Sequence, residues 1–266
     1  MLIEIAIGTA AFTQVWKGYE LNEKALSILR DAYNTHADAV YLVQYHKDEA
    51  NQKLTKLVNR KKAILSTRMK QFILVYQTIR KIDFRPGDGI RELYSNSLSI
   101  HQVQEIEVMV TSALKPMSEK ELAAAFIFTG ASGLYLADAK RNVTLANSQA
   151  QIADTMYQQA ETLIVAMDAI GKRADQMSDI LAKFSVLFAD AIQEATNVIQ
   201  RNGVDRRNYS QADRESLMIC VNLAGAIKTI LDVPILDDKR KLTAASAKVL
   251  KESKQRMQEI QKIMKG

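Results

Sequence analysis

Residues 156–199 read MYQQAETLIVAMDAIGKRADQMSDILAKFSVLFADAIQEATNVI, and their apolar side chains recur at alternating steps of three and four residues. That spacing aligns one stripe on a helix and is typical of a coiled-coil seam. The seam consists of Ala160, Leu163, Met167, Ile170, Ala174, Met177, Leu181, Phe184, Phe188, Ala191, Ala195 and Val198. The stripe is broadened by Ile164, Ile180, Leu187, Ile192 and Ile199. A stripe of this width predicts a long helix that packs against more than one neighbour.

The N-terminal part of the chain carries a second seam of the same kind. Its members are Leu26, Leu29, Tyr33, His36, Val40, Val43, Lys47, Ala50, Leu54, Leu57, Lys61, Ile64, Arg68, Phe72, Val75, Ile79 and Ile82. The four-residue step between Arg68 and Phe72 shifts the stripe slightly. Because one connection separates the two long helices, an antiparallel hairpin is the simplest way to bury both seams.

Proline, glycine and capping residues mark the ends of the expected helices. Pro86 and two glycines in DFRPGDG, residues 83–89, end the first long helix. Gly203 is suited to a left-handed cap at the end of the second. Two capping-box patterns open helices: Ser118 with Glu121, and Ser210 with Asp213. The expected helices cover about residues 11–83, 97–114, 118–202, 210–231 and 243–264.

The composition is that of a folded, core-forming helical protein. Of the 266 residues, 47% are hydrophobic and 25% are charged, and only 3 prolines and 10 glycines are available for chain reversals. The predicted fold class is all-α: an elongated antiparallel coiled-coil hairpin of two long helices with a small helical bundle at one end. No linker of distinct composition divides the chain, so residues 1–266 are expected to form a single helical body.

Cys220 is the single cysteine, which excludes a disulfide within one chain and fits a reducing compartment. It lies in the apolar run LMICVNLAGAI, where a small buried hydrophobe is expected. The apolar residues 1–16 lack a basic region, so no signal peptide is expected. We expect a cytoplasmic location, with peripheral membrane association as an alternative.

The segment LAAAFIFTGASGLYLA, residues 122–137, contains no charged side chain. A helix that spans a bilayer needs roughly 20 apolar residues, so this segment is short for that role. Burial within the fold is the favoured interpretation, and contact with a membrane or a protein partner is the alternative. The residues that would make such a contact are Phe126, Phe128, Gly130, Gly133, Leu134 and Tyr135.

A basic stretch in the first long helix is the candidate anion-binding site. Its residues are Lys53, Lys56, Arg60, Lys61 and Lys62. A net charge of +6 allows an anionic partner. A solvated or internally paired face is favoured, anionic lipid ranks second, and nucleic acid ranks last because stacking aromatic residues and docking motifs are missing from the stretch.

Catalytic patterns are missing from the sequence. His36, His46 and His101 are the only histidines, and no Glu-x-x-His pattern of a four-helix di-metal site contains them. The sequence also lacks a phosphate-binding loop, G-x-S-x-G, H-E-x-x-H and a cysteine pair. We therefore expect no catalytic, cofactor-binding or metal-binding residues.

Three stretches carry a resemblance to a known family: residues 63–84 (AILSTRMKQFILVYQTIRKIDF), 133–142 (GLYLADAKRN) and 233–243 (VPILDDKRKLT). With them the chain resembles a family of uncharacterised all-helical bacterial proteins, some of which carry a chemotaxis-like label. The resemblance implies long coiled-coil helices on both sides of a central glycine-containing apolar segment. It implies no activity and no catalytic residues.

These observations give three hypotheses for function. The first is a non-enzymatic helical interaction or scaffold protein that self-associates or binds a protein partner. A variant of this hypothesis adds peripheral contact with an anionic membrane. The second is a membrane-permeabilising protein, similar to helical pore-forming toxins, with a concealed apolar segment. The third is nucleic-acid binding through the basic stretch.

Overall fold

The computed structural model describes residues 23–82, 84, 98–129, 160–237 and 239–263. These residues form helices joined by turns and loops, and their β-structure is limited to an isolated antiparallel bridge between Leu236 and Leu242. The predicted all-α fold class is confirmed.

The α-helices in the described ranges are, in chain order, α1 (Glu23–Ile64), α2 (Lys70–Ile79), α3 (Ile100–Leu114), α4 (Glu119–Ala123), α5 (Ala160–Asn202), α6 (Gln211–Asp232) and α7 (Ala244–Ile263). Two π-helical segments adjoin them. The first π segment (Leu65–Met69) joins α1 to α2, and the second π segment (Ala124–Thr129) follows α4. A short 3₁₀ turn, Arg206–Asn208, precedes α6.

The helix ends that are fixed by local chemistry lie where the sequence predicts them. The Ser118–Glu121 and Ser210–Asp213 capping boxes both form, with side chain and backbone bonded in each direction. Gly203 has a φ of 68°, the left-handed conformation expected of a C-terminal glycine cap. A further capping box at Ser99, with Gln102, opens α3 and was not predicted.

The first seam changes register at the first π segment. From Val43 to Ile64 its members are buried as predicted, and Val40 is half-buried. Beyond that point Phe72, Ile79 and Ile82 are buried as predicted, and Leu65, Met69 and Tyr76 are buried with them. The predicted members Arg68 and Val75 are only half-buried. A π turn holds more residues than an α turn and therefore rotates the stripe, which explains why Arg68 and Val75 lie at its edge while Met69 and Tyr76 are buried.

The second seam is buried as predicted along α5. Met177, Leu181, Phe184 and Phe188 are fully enclosed, Met167 and Ile170 are buried, and Leu163 is half-buried. The apolar stripe of α5 is wide because this helix packs against more than one other helix. Side-chain bonds join α5 to α6 through Arg201 and Asp213, and to α7 through Arg173 and Ser246.

The chain groups into two compact units, whereas the sequence analysis treats it as a single helical body. Unit 1 comprises Met1–Lys53 and Arg141–Lys172. Unit 2 comprises Leu54–Lys140 and Arg173–Gly266.

The contacts between α1 and α5 run in the same order along both helices. In unit 2, Lys56 lies 3.8 Å from Asp175, and Arg60 Nη1 donates to the Ser178 carbonyl at 2.9 Å. Further along in the same unit, the rings of Phe72 in α2 and Phe188 in α5 are 5.7 Å apart between centroids.

In unit 1 the order is the same, since His46 contacts Asp168 and Ala50 lies beside Gly171. The helices therefore run parallel within each unit, and the predicted antiparallel hairpin is wrong. The chain between α2 and α5 includes α3, α4 and the second π segment, so it is not the single reversal that the prediction assumed.

Zero-length coupling of lysine to carboxylate side chains tests the parallel pairing. Treatment with a carbodiimide should join Lys56 to Asp175, because their charged groups are 3.8 Å apart and partly exposed. Peptide mass spectrometry should detect this linkage, and Asp175→Asn should abolish it. Linkage of Lys56 to Asp190 or Glu194, near the other end of α5, would instead indicate antiparallel helices.

Candidate functional site

In unit 2 the C-terminal end of α6 and the second π segment meet at the side chain of Lys61. The seam spacing directs this lysine inward from α1, and the structure encloses it completely. Its Nζ atom donates to the carbonyl oxygens of Phe126, Leu231 and Val233, each at 3.2 Å. We refer to Lys61 with these three carbonyls as the Lys61 junction.

Two of the three carbonyls of the junction, those of Leu231 and Val233, need donors because they lie at a helix end. The last carbonyls of a helix have no N–H partner within the helix. Leu231 and Val233 lie at the C-terminal end of α6, and the next residue, Pro234, has no N–H to offer. A positive charge at this end also interacts favourably with the helix dipole. The ammonium of Lys61 therefore meets a requirement that the backbone creates.

The loop after α6 completes the attachment to the second π segment. The carbonyl of Ile127 accepts hydrogen bonds from Ile235 N at 2.8 Å and Leu236 N at 3.1 Å. The loop is closed on itself by the bridge between Leu236 and Leu242 and by the bond from Thr243 N to Ile235 O at 2.9 Å. The second π segment is consequently held by both side-chain and backbone donors.

Burial gives Lys61 an unusual protonation equilibrium. Loss of hydration lowers its pKa to about 7, and the nearby Asp232 carboxylate opposes that shift. The three hydrogens of an ammonium match the three carbonyl acceptors. In the unfolded chain a lysine keeps a pKa near 10.5. Between pH 7 and pH 10.5 the unfolded state thus binds more protons, and this group makes stability rise with pH.

The uncharged segment is anchored in the core by this junction over its described part. Leu122, Ala123, Ala125, Phe126 and Ile127 are buried, and Phe128 is half-buried. This placement agrees with the packing interpretation for these residues. Four of the proposed contact residues, Gly130, Gly133, Leu134 and Tyr135, lie outside the described residues.

The basic stretch is divided among internal partners. Lys53 bonds to Glu49, Lys56 approaches Asp175, Arg60 donates to the Ser178 carbonyl, and Lys61 forms the junction. Four of the five candidate residues are thus engaged within the chain. Half-buried Lys62 completes the set. Anion contact by this stretch stays a prediction. Lys61 cannot take part in it, because its side chain is fully buried.

A second lysine joins α3 to α6. Lys228 Nζ lies 2.8 Å from Glu105 of α3 and also bonds to Asp232 one turn along α6. Burial lowers the pKa of Lys228, but the hydrogen bonds and charges of Asp232 and Glu105 outweigh it, so the pKa is raised overall. The pKa of Glu105 is lowered chiefly by its hydrogen bond with Lys228. This pair therefore stays charged at neutral pH.

A mixed donor cluster in unit 1 was missed by the sequence analysis. His46 Nδ1 lies 2.6 Å from Asp168 Oδ1, and Glu49 lies on the next turn of α1. The di-metal pattern considered above has the order Glu-x-x-His, whereas the chain reads His46-x-x-Glu49. The reversed motif was visible in the sequence, but the contribution of Asp168 from α5 was not.

Cys220 is fully buried, as predicted. Burial raises the pKa of its thiol to about 12. Since the thiolate is the reactive form, Cys220 acts as a small core residue at neutral pH.

None of the known protein families, curated proteins or solved structures compared with this chain matches it. The resemblance to helical bacterial proteins therefore stays a prediction. None of the helices in the described ranges combines the length and the apolar character needed to cross a bilayer.

Replacement of Lys61 tests the junction. Lys61→Met should lower the free energy of unfolding by several kcal/mol, because each buried carbonyl that loses its donor costs about 1–3 kcal/mol. The stability difference between wild type and Lys61→Met should widen as the pH rises from 7 to 9, as Lys61 loses its buried charge. Urea unfolding at each pH measures both effects.

The matched control is Lys62→Met, which removes the adjacent half-buried lysine. It should change stability by less than about 0.5 kcal/mol. Equal losses in the two variants would contradict the junction. A stability difference that is constant from pH 7 to 9 would contradict the lowered pKa of Lys61.

Proposed function

We propose that this chain is a non-enzymatic helical interaction protein that self-associates through unit 1. Coiled-coil packing of the seams of α1 and α5 would supply its framework. The observation that carries the proposal is a cluster of large apolar side chains left exposed on the part of α1 that belongs to unit 1.

These side chains are Tyr41, Leu42 and Tyr45, and we call them the Tyr41 face. Tyr41 is 68% exposed and Tyr45 is 53% exposed. The three residues span about 100° of the helix circumference. Val43 and Ala50, which are buried, point to the opposite side of α1. A helix that is apolar on two sides is typical of one that packs between two neighbours.

The core of unit 1 is small in the described residues. It contains Val43, Ala50 and Met167, with Leu163 and Ile164 partly buried against them. Lys47, only 5% exposed, occupies a seam position among them, where its Nζ bonds to Gln44. Burial of the Tyr41 face against another helix would remove further apolar surface from water and so stabilise this unit.

A second copy of the chain is the partner that best fits this face. In a two-fold dimer the same patch lies on both sides of the interface, so Tyr41 and Tyr45 of each chain would be buried together. Tyrosine is enriched in such interfaces because it combines a large apolar area with a polar tip. A heterologous protein partner is the alternative that the experiment below separates.

We place this function in the cytoplasm, and peripheral contact with an anionic membrane is a secondary part of the proposal. Nucleic-acid binding is not part of it, because most of the basic stretch has partners within the chain. The exposed residue of that stretch, Lys56, is 3.8 Å from a carboxylate.

Loss of the Tyr41 face should weaken self-association. The double variant Tyr41→Ser, Tyr45→Ser should raise the dimer dissociation constant at least about tenfold, since buried tyrosines commonly contribute 2 kcal/mol or more at interfaces. Sedimentation equilibrium over a range of concentrations measures this constant.

The control is Leu74→Ser, which removes a side chain of similar exposure, 63%, from α2 in unit 2. Its dissociation constant should equal that of the wild type. A wild-type chain that stays monomeric up to its solubility limit would contradict self-association. An equal effect of the control would contradict the assignment to the Tyr41 face.

A second candidate is a membrane-permeabilising protein whose apolar segment is concealed in unit 2, for which burial of Leu122, Phe126 and Ile127 in the resting protein is equally expected. Insertion would require this segment to leave the Lys61 junction. This candidate therefore expects Lys61→Met to release dye from anionic vesicles faster than the wild type. If neither the wild type nor Lys61→Met releases dye from the vesicles, this candidate is excluded.

A further inference from the structure

We propose that unit 1 contains a binding site for a divalent transition-metal cation, formed by His46 and Glu49 of α1 and Asp168 of α5. This inference is independent of the self-association proposed above. Among the described residues, these three form a group whose potential ligand atoms all lie within 4.8 Å of one another.

The helices bring these side chains together in a simple way. His46 and Glu49 are three residues apart, so they lie on the same face of α1 on adjacent turns. Asp168 projects from α5, and its Oδ1 atom is 2.6 Å from His46 Nδ1. Two helices thus supply one nitrogen and two carboxylate groups to a common point.

The dimensions fit a small cation after modest side-chain rotation. Zinc binds histidine nitrogen and carboxylate oxygen at about 2.0–2.2 Å, which places tetrahedral ligand atoms about 3.3–3.6 Å apart. His46 Nδ1 and Asp168 Oδ1 are 2.6 Å apart, and the potential ligand atoms of all three residues lie within 4.8 Å of one another, so the required spacing falls within this range. Three protein ligands leave the fourth position for water, as in open zinc sites.

The donor set discriminates between classes of cation. An imidazole nitrogen favours Zn²⁺, Co²⁺ and Ni²⁺, whereas Mg²⁺ and Ca²⁺ prefer oxygen ligands alone. The cluster is open to entry from solvent, since the side chains of His46 and Asp168 are 22% and 54% exposed. A transition metal with a bound water is therefore the occupant that the chemistry selects.

Lys53 already places a positive charge at this point. Its Nζ lies 2.6 Å from Glu49 Oε1. Gly171 makes room for its side chain, because a Cβ atom at that position would lie 3.0 Å from Lys53 Cδ. A bound metal would compete with this ammonium for Glu49 and be repelled by it. Removal of the lysine charge should therefore strengthen metal binding.

Titration of the full chain with CoCl₂ and ZnCl₂ tests the site. Visible absorption of Co²⁺ and calorimetry with Zn²⁺ should show saturation at one cation per chain, unaffected by excess MgCl₂. His46→Gln and Asp168→Asn should each weaken binding more than about 100-fold. Loss of a residue that only hydrogen-bonds to a metal ligand already costs about 10–100-fold, and these two residues are ligands themselves. Lys53→Met should tighten it several-fold.

The matched control is His101→Gln. His101 forms a pair with Glu105 at 3.5 Å on α3, and these two residues belong to no three-ligand group among the described residues. This variant should bind one cation with wild-type affinity. Circular dichroism should show the same helix content in all four variants.

Three results would overturn the proposal: no saturable binding by the wild type, equal affinities in the wild type, His46→Gln and Asp168→Asn, or loss of binding in His101→Gln. The Lys53→Met variant keeps the test independent of folding defects, because a destabilised unit 1 would weaken binding rather than tighten it. Unchanged or weaker binding by Lys53→Met would also count against the site.

Discussion

The ammonium of Lys61, enclosed by the carbonyls of Phe126, Leu231 and Val233, connects α1, the second π segment and the end of α6 in unit 2. A lone buried charge is costly, which is why burial lowers the pKa of Lys61, but the hydrogens that its Nζ carries all have carbonyl acceptors. An apolar residue would suit the seam but would leave the carbonyls without donors. The need of these carbonyls for a donor therefore fixes how these elements meet, and the surrounding apolar packing supplies most of the stability.

The features that the sequence predicted are those set by local chemistry. The seam of α5, the Ser118 and Ser210 capping boxes and the Gly203 cap depend on residues within a turn or two of one another. The parallel direction of α1 and α5 was not predictable, because a heptad seam fits a parallel or an antiparallel partner equally well. The His46 cluster was missed for a related reason, since Asp168 is 122 residues away in sequence.

The two units differ in a way that bears on function. Unit 2 buries most of the core residues that the structure describes, and the Lys61 junction joins α1, the second π segment and the end of α6 there. Unit 1 exposes Tyr41 and Tyr45 and gathers His46 with two carboxylates. Surfaces that bind partners or ions must be accessible. The exposure of Tyr41, Tyr45 and Asp168 therefore supports our proposal that unit 1 carries the interactions.

Hydrogen exchange at low and high protein concentration, followed by peptide mass spectrometry, tests this division most directly. The account predicts that peptides containing Tyr41 and Tyr45 gain protection as concentration rises. It also predicts that residues 122–127 and 231–236 remain strongly protected at both concentrations. Unchanged exchange around Tyr41, or weak protection of residues 122–127 in the dilute protein, would contradict the account.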